Sequence, residues 1–218
     1  MRIGDLNAIL FDMDGTICDS RPGIFASIHY LLEQLGHQPD PAFNLSFVLG
    51  PPAEVWIEEV LGHYHDNRFQ EGVALYRAHQ SETGLFLNAI YPGIAELLRS
   101  LRDRGIACYV ATAKRTEAAR KILNHYNLEP FFKSIHGSMP NGKNSSKIAL
   151  LAEVVQANGL NPEKTGMLGD RMYDMEAARR NGLAALGALW GYGTELELSE
   201  HGACCCFAAP LDLMAEPG

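Results

Sequence analysis

The stretch Ile9-Leu10-Phe11-Asp12-Met13-Asp14-Gly15-Thr16 constrains the fold of this chain more than any other. A continuously apolar run bounded by polar residues, Asn7 to Phe11, predicts a buried parallel strand. Ligands of open α/β sheets sit beyond the carboxyl ends of strands, where Asp12 and Asp14 project. Strand alternation sends residues i and i+2 to one side. Gly15 lets the chain turn away, because it has no Cβ to forbid positive φ. Two acids held together at a strand end repel unless a cation or a shared proton offsets them. The stretch therefore predicts chemistry as well as topology.

Beyond Thr16 the texture is helical. Pro22 suits the first turn of a helix ending at Gly36, with Ile24, Ile28, Leu31, Leu32 and Leu35 on one face. Pro51-Pro52 opens a second helix and Asp66 to Ser81 forms a third. Residues 17–85 thus read as a small helical domain inserted after the first strand. From Tyr91 strands and helices alternate. Helices are expected from Ile94 to Arg104, Thr116 (as N-cap) to Tyr126, Ser145-Ser146-Lys147 to Ala157, and Tyr173 to Arg180. Strands are expected over Ile106 to Ala111, Ser134 to His136, Gly166 to Leu168 and Leu183 to Leu189. This alternation implies right-handed βαβ crossovers. The fold class is α/β, a doubly wound Rossmann-like core with a parallel sheet, built from residues 1–16 and 86–218.

Four strand ends or loop starts then carry polar residues to one sheet edge: Asp12 and Asp14, Thr112, Lys147, and Asp170 with Asp174. Carboxylate oxygens suit Mg²⁺, which binds one or two acids plus a phosphate. An amine and a hydroxyl suit the remaining phosphate oxygens. Such a set can support phosphoryl transfer to a carboxylate. With 218 residues and 47% hydrophobic composition, the chain can bury the core that this arrangement needs. Its net charge of −8 disfavours a nucleic-acid polymer or an anionic membrane as partner. No signal pattern or run of ~18 apolar residues is present, so a cytoplasmic setting is expected. Cys204-Cys205-Cys206 lacks the separated spacing of a zinc knot, and Ala203 to Phe207 reads as a short buried strand.

D-x-D-G-T after the first strand, Thr112, the downstream Lys147, and G-D-x-x-x-D at Gly169, Asp170 and Asp174 together resemble the haloacid dehalogenase superfamily. The helical insert is similar to that of members with a C1-type cap. Tyr91-Pro92-Gly93, Leu97-Leu98 and Arg104-Gly105-Ile106 add a likeness to the phosphoglycolate phosphatase-like and 5′-nucleotidase-like branch. The resemblance implies a Mg²⁺-dependent phosphomonoesterase acting on a small phosphorylated metabolite. It makes Asp12 the nucleophile and Asp14 the general acid and then base. Thr112 and the Ala113 N–H would hold phosphoryl oxygens, and Lys147 would pair with Asp12 and the phosphate. Asp12, Asp14 (through its carbonyl), Asp170 and Asp174 would hold the metal. Lys114 is a further candidate for an anionic group of the substrate, and Lys143 is a rival to Lys147. Trp190 and Tyr192 are candidates to frame the pocket mouth. Two positions depart from the branch: Ala113 stands where many relatives carry Asn, and no proline follows the lysine.

A sugar phosphomutase would keep the same centre and return the phosphate to the sugar. A dehalogenase would leave Asp14 without a purpose as an acid. A receiver-type phosphorylation switch would carry its phosphoacceptor on a later strand, where this chain has Thr112 instead. A catalytically inactive binding protein would be expected to lack one of the four elements, and none is missing.

Overall fold

The computed structural model describes residues 3–138 and 146–215, so Lys143 and Ser145 lie outside the described residues. The chain divides into two compact units, one formed by Met1–Cys18 with Ile90–Gly218 and the other by Asp19–Ala89. The division thus falls after Cys18 and Ala89, where the sequence suggested 16 and 85.

In chain order the strands are β1 (Ala8–Phe11), β2 (Cys18–Asp19), β3 (Ala89–Ile90), β4 (Ala107–Arg115), β5 (Phe132–Ser138), β6 (Thr165–Gly169), β7 (Ala184–Ala188) and β8 (Cys205–Phe207). The helices are α1 (Arg21–Gln34), α2 (Ala53–His63), α3 (Phe69–Glu82), α4 (Ile94–Asp103), α5 (Thr116–His125), α6 (Lys147–Ala157), α7 (Met172–Arg180) and α8 (Glu195–Glu200). Six strands form one parallel sheet in the order β5-β4-β1-β6-β7-β8. The short segments β2 and β3, at the two chain crossings between units, pair with each other.

All four residues of β1 are buried, as a strand covered on both faces requires. Ala8 and Leu10 face a core with Tyr109, Ala111 and Met167, closed by Leu150, Leu151 and Val154 of α6 and by Met175, Ala177 and Ala178 of α7. Alternation turns Ile9 and Phe11 to the other face. There α4 packs on β4 and α5 on β4 and β5, burying Leu97, Leu98, Leu101, Ile122 and Leu123. Phe11 meets Phe132 edge to face at 5.9 Å. Each such buried side chain contributes roughly 1.5–3 kcal/mol of transfer free energy. The chain runs outward from β1 through β4 to β5, then crosses back to β6, β7 and β8 on the far side. That reversal places the crevice of a doubly wound sheet at the carboxyl end of β1.

Two local expectations change. β4 runs on to Arg115, past the Ala111 end expected from its apolar run. Its pairing with β1 stops at Val110, and its register against β5 shifts between Ala111 and Arg115. Thr116 is the first residue of α5, after Arg115 at the cap position, and its hydroxyl accepts from the Gly137 N–H at 3.0 Å.

In the helical unit the expected face of α1 is buried at Ile24, Ile28, Leu31, Leu32 and Leu35. It shares this unit with the buried residues Trp56, Ile57, Val60, Leu61, Val73 and Tyr76. Trp56 meets Tyr76 edge-on at 4.9 Å, which makes it a core residue. His37 lies 2.6 Å from Asp66, and His63 stacks on Phe43 while pairing with Asp40 at 3.2 Å. Burial is not what lowers the Asp66 carboxyl pKa; hydrogen bonds from Arg68 and then His37 do so.

Candidate active site

The segment after β1 folds into a tight turn. The Asp12 N–H donates to the Leu168 carbonyl at 2.9 Å, extending the ladder by one residue. The Met13 carbonyl then accepts from the N–H groups of Ile17 and Cys18 at 2.9 and 3.0 Å, and the Gly15 N–H donates to the Cys18 carbonyl at 2.8 Å. Gly15 takes φ +85°, and a Cβ there would lie 2.1 Å from Asp170 Oδ2. The sequence needs glycine here twice over, for the turn and for the approach of a carboxylate.

Asp170 follows β6, is fully buried, and is held from several directions. Its Oδ1 accepts from the Thr16 hydroxyl at 3.3 Å and its Oδ2 from the Tyr192 N–H at 2.8 Å. A Cβ on Gly191 would fall 2.3 Å from both Asp170 Cβ and the Gly15 carbonyl. The Trp190 indole N–H donates to the Thr16 carbonyl at 2.9 Å, tying the 190–193 loop to the turn after β1. Trp190 and Tyr192, candidates for the pocket mouth, thus tie their loop to the Thr16 carbonyl and, through the Tyr192 backbone, to Asp170. The Gly191-x-Gly193 pair at the end of a sheet strand was the sequence signal for this enclosure.

Lys147 is the first residue of α6, and its ammonium lies 2.8 Å from Asp12 Oδ1 and 2.9 Å from Asp174 Oδ1. Asp174, in the first turn of α7, accepts the Arg171 N–H on its other oxygen at 3.1 Å. Carboxylate oxygens of Asp12, Asp170 and Asp174 all lie within 4.8 Å of one another. Asp14 stands apart from this trio: its Oδ2 pairs with the buried Lys114 ammonium at 3.0 Å. Lys114, a candidate for an anionic group of the substrate, thus has an acidic partner within the protein. Its N–H donates to the Thr112 hydroxyl at 3.2 Å, so Thr112, Ala113 and Lys114 occupy the irregular segment of β4 beyond the end of β1.

The electrostatics show what this cluster lacks. Burial pushes Asp12 from 3.8 up to about 6; Lys147 opposes the rise, and Asp174 and Asp14 add to it. Burial, then Asp174 and Asp12, raise Asp170 well above the usual carboxylate range. Burial works against the charge on Lys147, yet Asp12 and Asp174 more than restore it. Lys114 also rises against its burial, held by Asp14, Cys18 and Asp12. Among the described residues the Lys147 ammonium ion-pairs with two of the three clustered carboxylates, Asp12 and Asp174. Asp12 Oδ1 has the Lys147 nitrogen nearby but off the hydrogen-bond direction, leaving it buried without a directed donor. An all-oxygen, under-neutralised set of this kind fits a hard divalent cation.

Comparison with known proteins agrees with this geometry. Residues 9–188 match the family model for haloacid dehalogenase-like hydrolase. The chain belongs to that family. It is similar to a 5′-nucleotidase of Pseudomonas aeruginosa, 40% identical over 88% of this chain and 87% of that protein. It is also similar to a phosphoglycolate phosphatase of Aquifex aeolicus, 31% identical over 86% of each chain. A solved structure of a predicted phosphatase from Clostridium acetobutylicum superposes with a TM-score of 0.83, at 33% identity over 92% of this chain and 93% of that one. The protein is thus a phosphatase-type haloacid dehalogenase-like hydrolase with a buried aspartate cluster that can hold a metal ion. Among the described residues no helix is long and apolar enough to cross a membrane.

Proposed function

We propose that this hydrolase is a Mg²⁺-dependent phosphomonoesterase that cleaves a small phosphorylated metabolite through an aspartyl-phosphate on Asp12. The observation that carries the reading is the buried Asp12 carboxylate, flanked by the Lys147 ammonium and clustered with Asp170 and Asp174. In this reading Asp12, Asp170 and Asp174, with the Asp14 carbonyl, hold Mg²⁺. The ion supplies charge neutralisation to the phosphate and keeps the carboxylates ionised.

The chain's own groups do the rest. An Asp12 oxygen attacks phosphorus as the ester oxygen leaves, and the Asp14 carboxyl gives that oxygen its proton. Asp14, now a carboxylate, takes a proton from the water that hydrolyses the aspartyl-phosphate. The Thr112 hydroxyl and Ala113 N–H position the phosphoryl oxygens, and Lys147 neutralises the charge that builds on them. Lys114 holds the Asp14 carboxylate in place between the two steps. The helical unit Asp19–Ala89 corresponds to the C1-type cap, where substrate choice resides. A phosphoglycolate-like substrate is the main reading. A nucleoside 5′-monophosphate is the second, favoured by the 40% likeness to a 5′-nucleotidase. Free thiols at Cys18, Cys108 and Cys204–Cys206 support a reducing, cytoplasmic setting.

The test is phosphate release from a panel of phosphoglycolate, nucleoside 5′-monophosphates and sugar phosphates, with Mg²⁺ and with EDTA. At least one ester should be cleaved, chelation should abolish cleavage, and Asp12→Asn should lower kcat by about 10⁴-fold or more. Metal-dependent turnover that persists in Asp12→Asn would remove the nucleophile assignment. A requirement for a bisphosphate primer would turn the reading to a mutase.

A further inference from the structure

The Cys204-Cys205-Cys206 run has no part in the centre described above, and the structure separates its three sulfurs into different roles. β8 is the edge strand of the sheet, with Cys205 beside Leu186, Cys206 beside Gly187 and Phe207 beside Ala188. Cys206 turns inward: a Cβ on Gly187 would lie 2.6 Å from its sulfur, and it packs against the core. Alternation sends Cys205 to the opposite side of the strand. Cys204 precedes the strand, is anchored by its N–H to the Ala185 carbonyl at 2.8 Å, and is exposed. The sequence reading of a buried strand from Ala203 to Phe207 is therefore corrected: the strand starts at Cys205, and its three residues are only partly buried. The sulfurs of Cys204 and Cys205 approach to 3.7 Å, which pairs an exposed thiol with a half-buried one.

We propose that Cys204 and Cys205 are a reversible oxidation site, closing to a vicinal disulfide when the protein meets a hydroperoxide. The Cys204 thiolate attacks the peroxide oxygen, breaking the O–O bond, releasing hydroxide and forming a sulfenic acid. The Cys205 thiol then displaces water from that sulfur, the S–S bond forms, and its proton joins the departing hydroxyl. Two thiols and one hydroperoxide thus give one disulfide and two waters (or one water and one alcohol). Thiolate character and access decide which cysteine reacts first. The hydrogen bond between the two thiols brings the Cys204 thiol down to about 6, whereas burial pushes Cys108 up to about 12. Geometry also makes the bond reversible. Consecutive Cα atoms lie about 3.8 Å apart, short of the roughly 4.4–6.8 Å that an unstrained disulfide spans. Strained, exposed disulfides are the easily reduced ones.

The test uses the reduced full chain, a few equivalents of hydrogen peroxide and mass spectrometry. The expected product has lost two hydrogens, and dithiothreitol restores them. Fragment ions should place the bond between Cys204 and Cys205. Cys206→Ser should behave as wild type. Cys204→Ser should not lose hydrogens, and Cys205→Ser should trap a dimedone-reactive sulfenic acid on Cys204. Iodoacetamide should label Cys204 at least tenfold faster than Cys108 in the folded protein. The proposal is overturned by thiols that stay reduced while free glutathione is consumed, by fragment ions placing the bond at Cys206, or by intermolecular dimers as the only product.

Discussion

Replacing Asp12 by Asn should abolish turnover and yet make the metal-free protein more stable at neutral pH. The raised carboxyl of Asp12 fixes the sign. A group whose folded-state pKa lies above its unfolded value contributes stability that is complete below the unfolded pKa. That contribution is lost as pH rises through the folded value. For Asp12 the window runs from 3.8 to about 6. At roughly 1.4 kcal/mol for each tenfold in proton affinity, holding Asp12 ionised at pH 7.5 costs about 3 kcal/mol. The Lys147 ion pair does not reverse this, because the carboxyl is raised despite it. Nor does the amide orphan Lys147, which keeps Asp174 at 2.9 Å. A domain of this size gains about 2–4 °C per kcal/mol, so the ceiling is about 12 °C and a rise of about 3–8 °C is expected. The assay is thermal unfolding in EDTA at pH 7.5 and pH 5, with and without Mg²⁺. At pH 5 the gap between variant and wild type should narrow, since wild-type Asp12 then carries its proton. Added Mg²⁺ should raise wild type more than the variant, which has lost one of the three clustered carboxylates. An Asp12→Asn protein that melts lower than wild type at pH 7.5 in EDTA would refute the burial argument.

Two further substitutions probe the surroundings of the acids. Gly191→Ala places a methyl 2.3 Å from the Asp170 side chain and the Gly15 backbone, where nothing flexible can give way. Mg²⁺ affinity measured by calorimetry should fall tenfold or more, with far-UV circular dichroism unchanged. Lys114→Met removes the 3.0 Å partner of Asp14. It should lower kcat by about 10–100-fold, most for esters with poor leaving groups, because proton donation matters most there. A raised KM at unchanged kcat would instead return Lys114 to substrate binding.

The parts of the site that were legible in the sequence are those fixed by local chain chemistry. Four apolar residues followed by Asp12 can be little other than a buried strand delivering an acid. The Gly169-Asp170 and Lys147 positions follow from strand and helix ends in the same way. Less legible are the contacts whose partners come from another element. The Lys114–Asp14 pair was not legible, because nothing near Lys114 in sequence shows that β4 continues past β1 and turns its side chain to Asp14. Thr116 looked like a helix cap, but its oxygen serves Gly137 of β5, twenty-one residues away. The clamp on Asp170 joins the turn after β1 to the loop after β7, segments that only the sheet order brings together.

That same sheet order explains why the acids are both costly and useful. β1 is buried on both faces and flanked by strands on both edges, so its carboxyl end is where the loops after neighbouring strands converge, and Asp12, Asp170 and Asp174 are buried there. Charge placed there loses hydration and gains a strong mutual field. Moving Asp12, Asp170 or Asp174 to a solvent-facing helix would relieve the repulsion, and it would also remove the preference for a divalent cation over water. The Asp170 side chain lies in the space that side chains at Gly15 and Gly191 would take, so its position leaves no room for them. In the proposed reading, affinity for the ion and instability without it are two consequences of one packing arrangement, and no single substitution in the cluster should change one while leaving the other untouched.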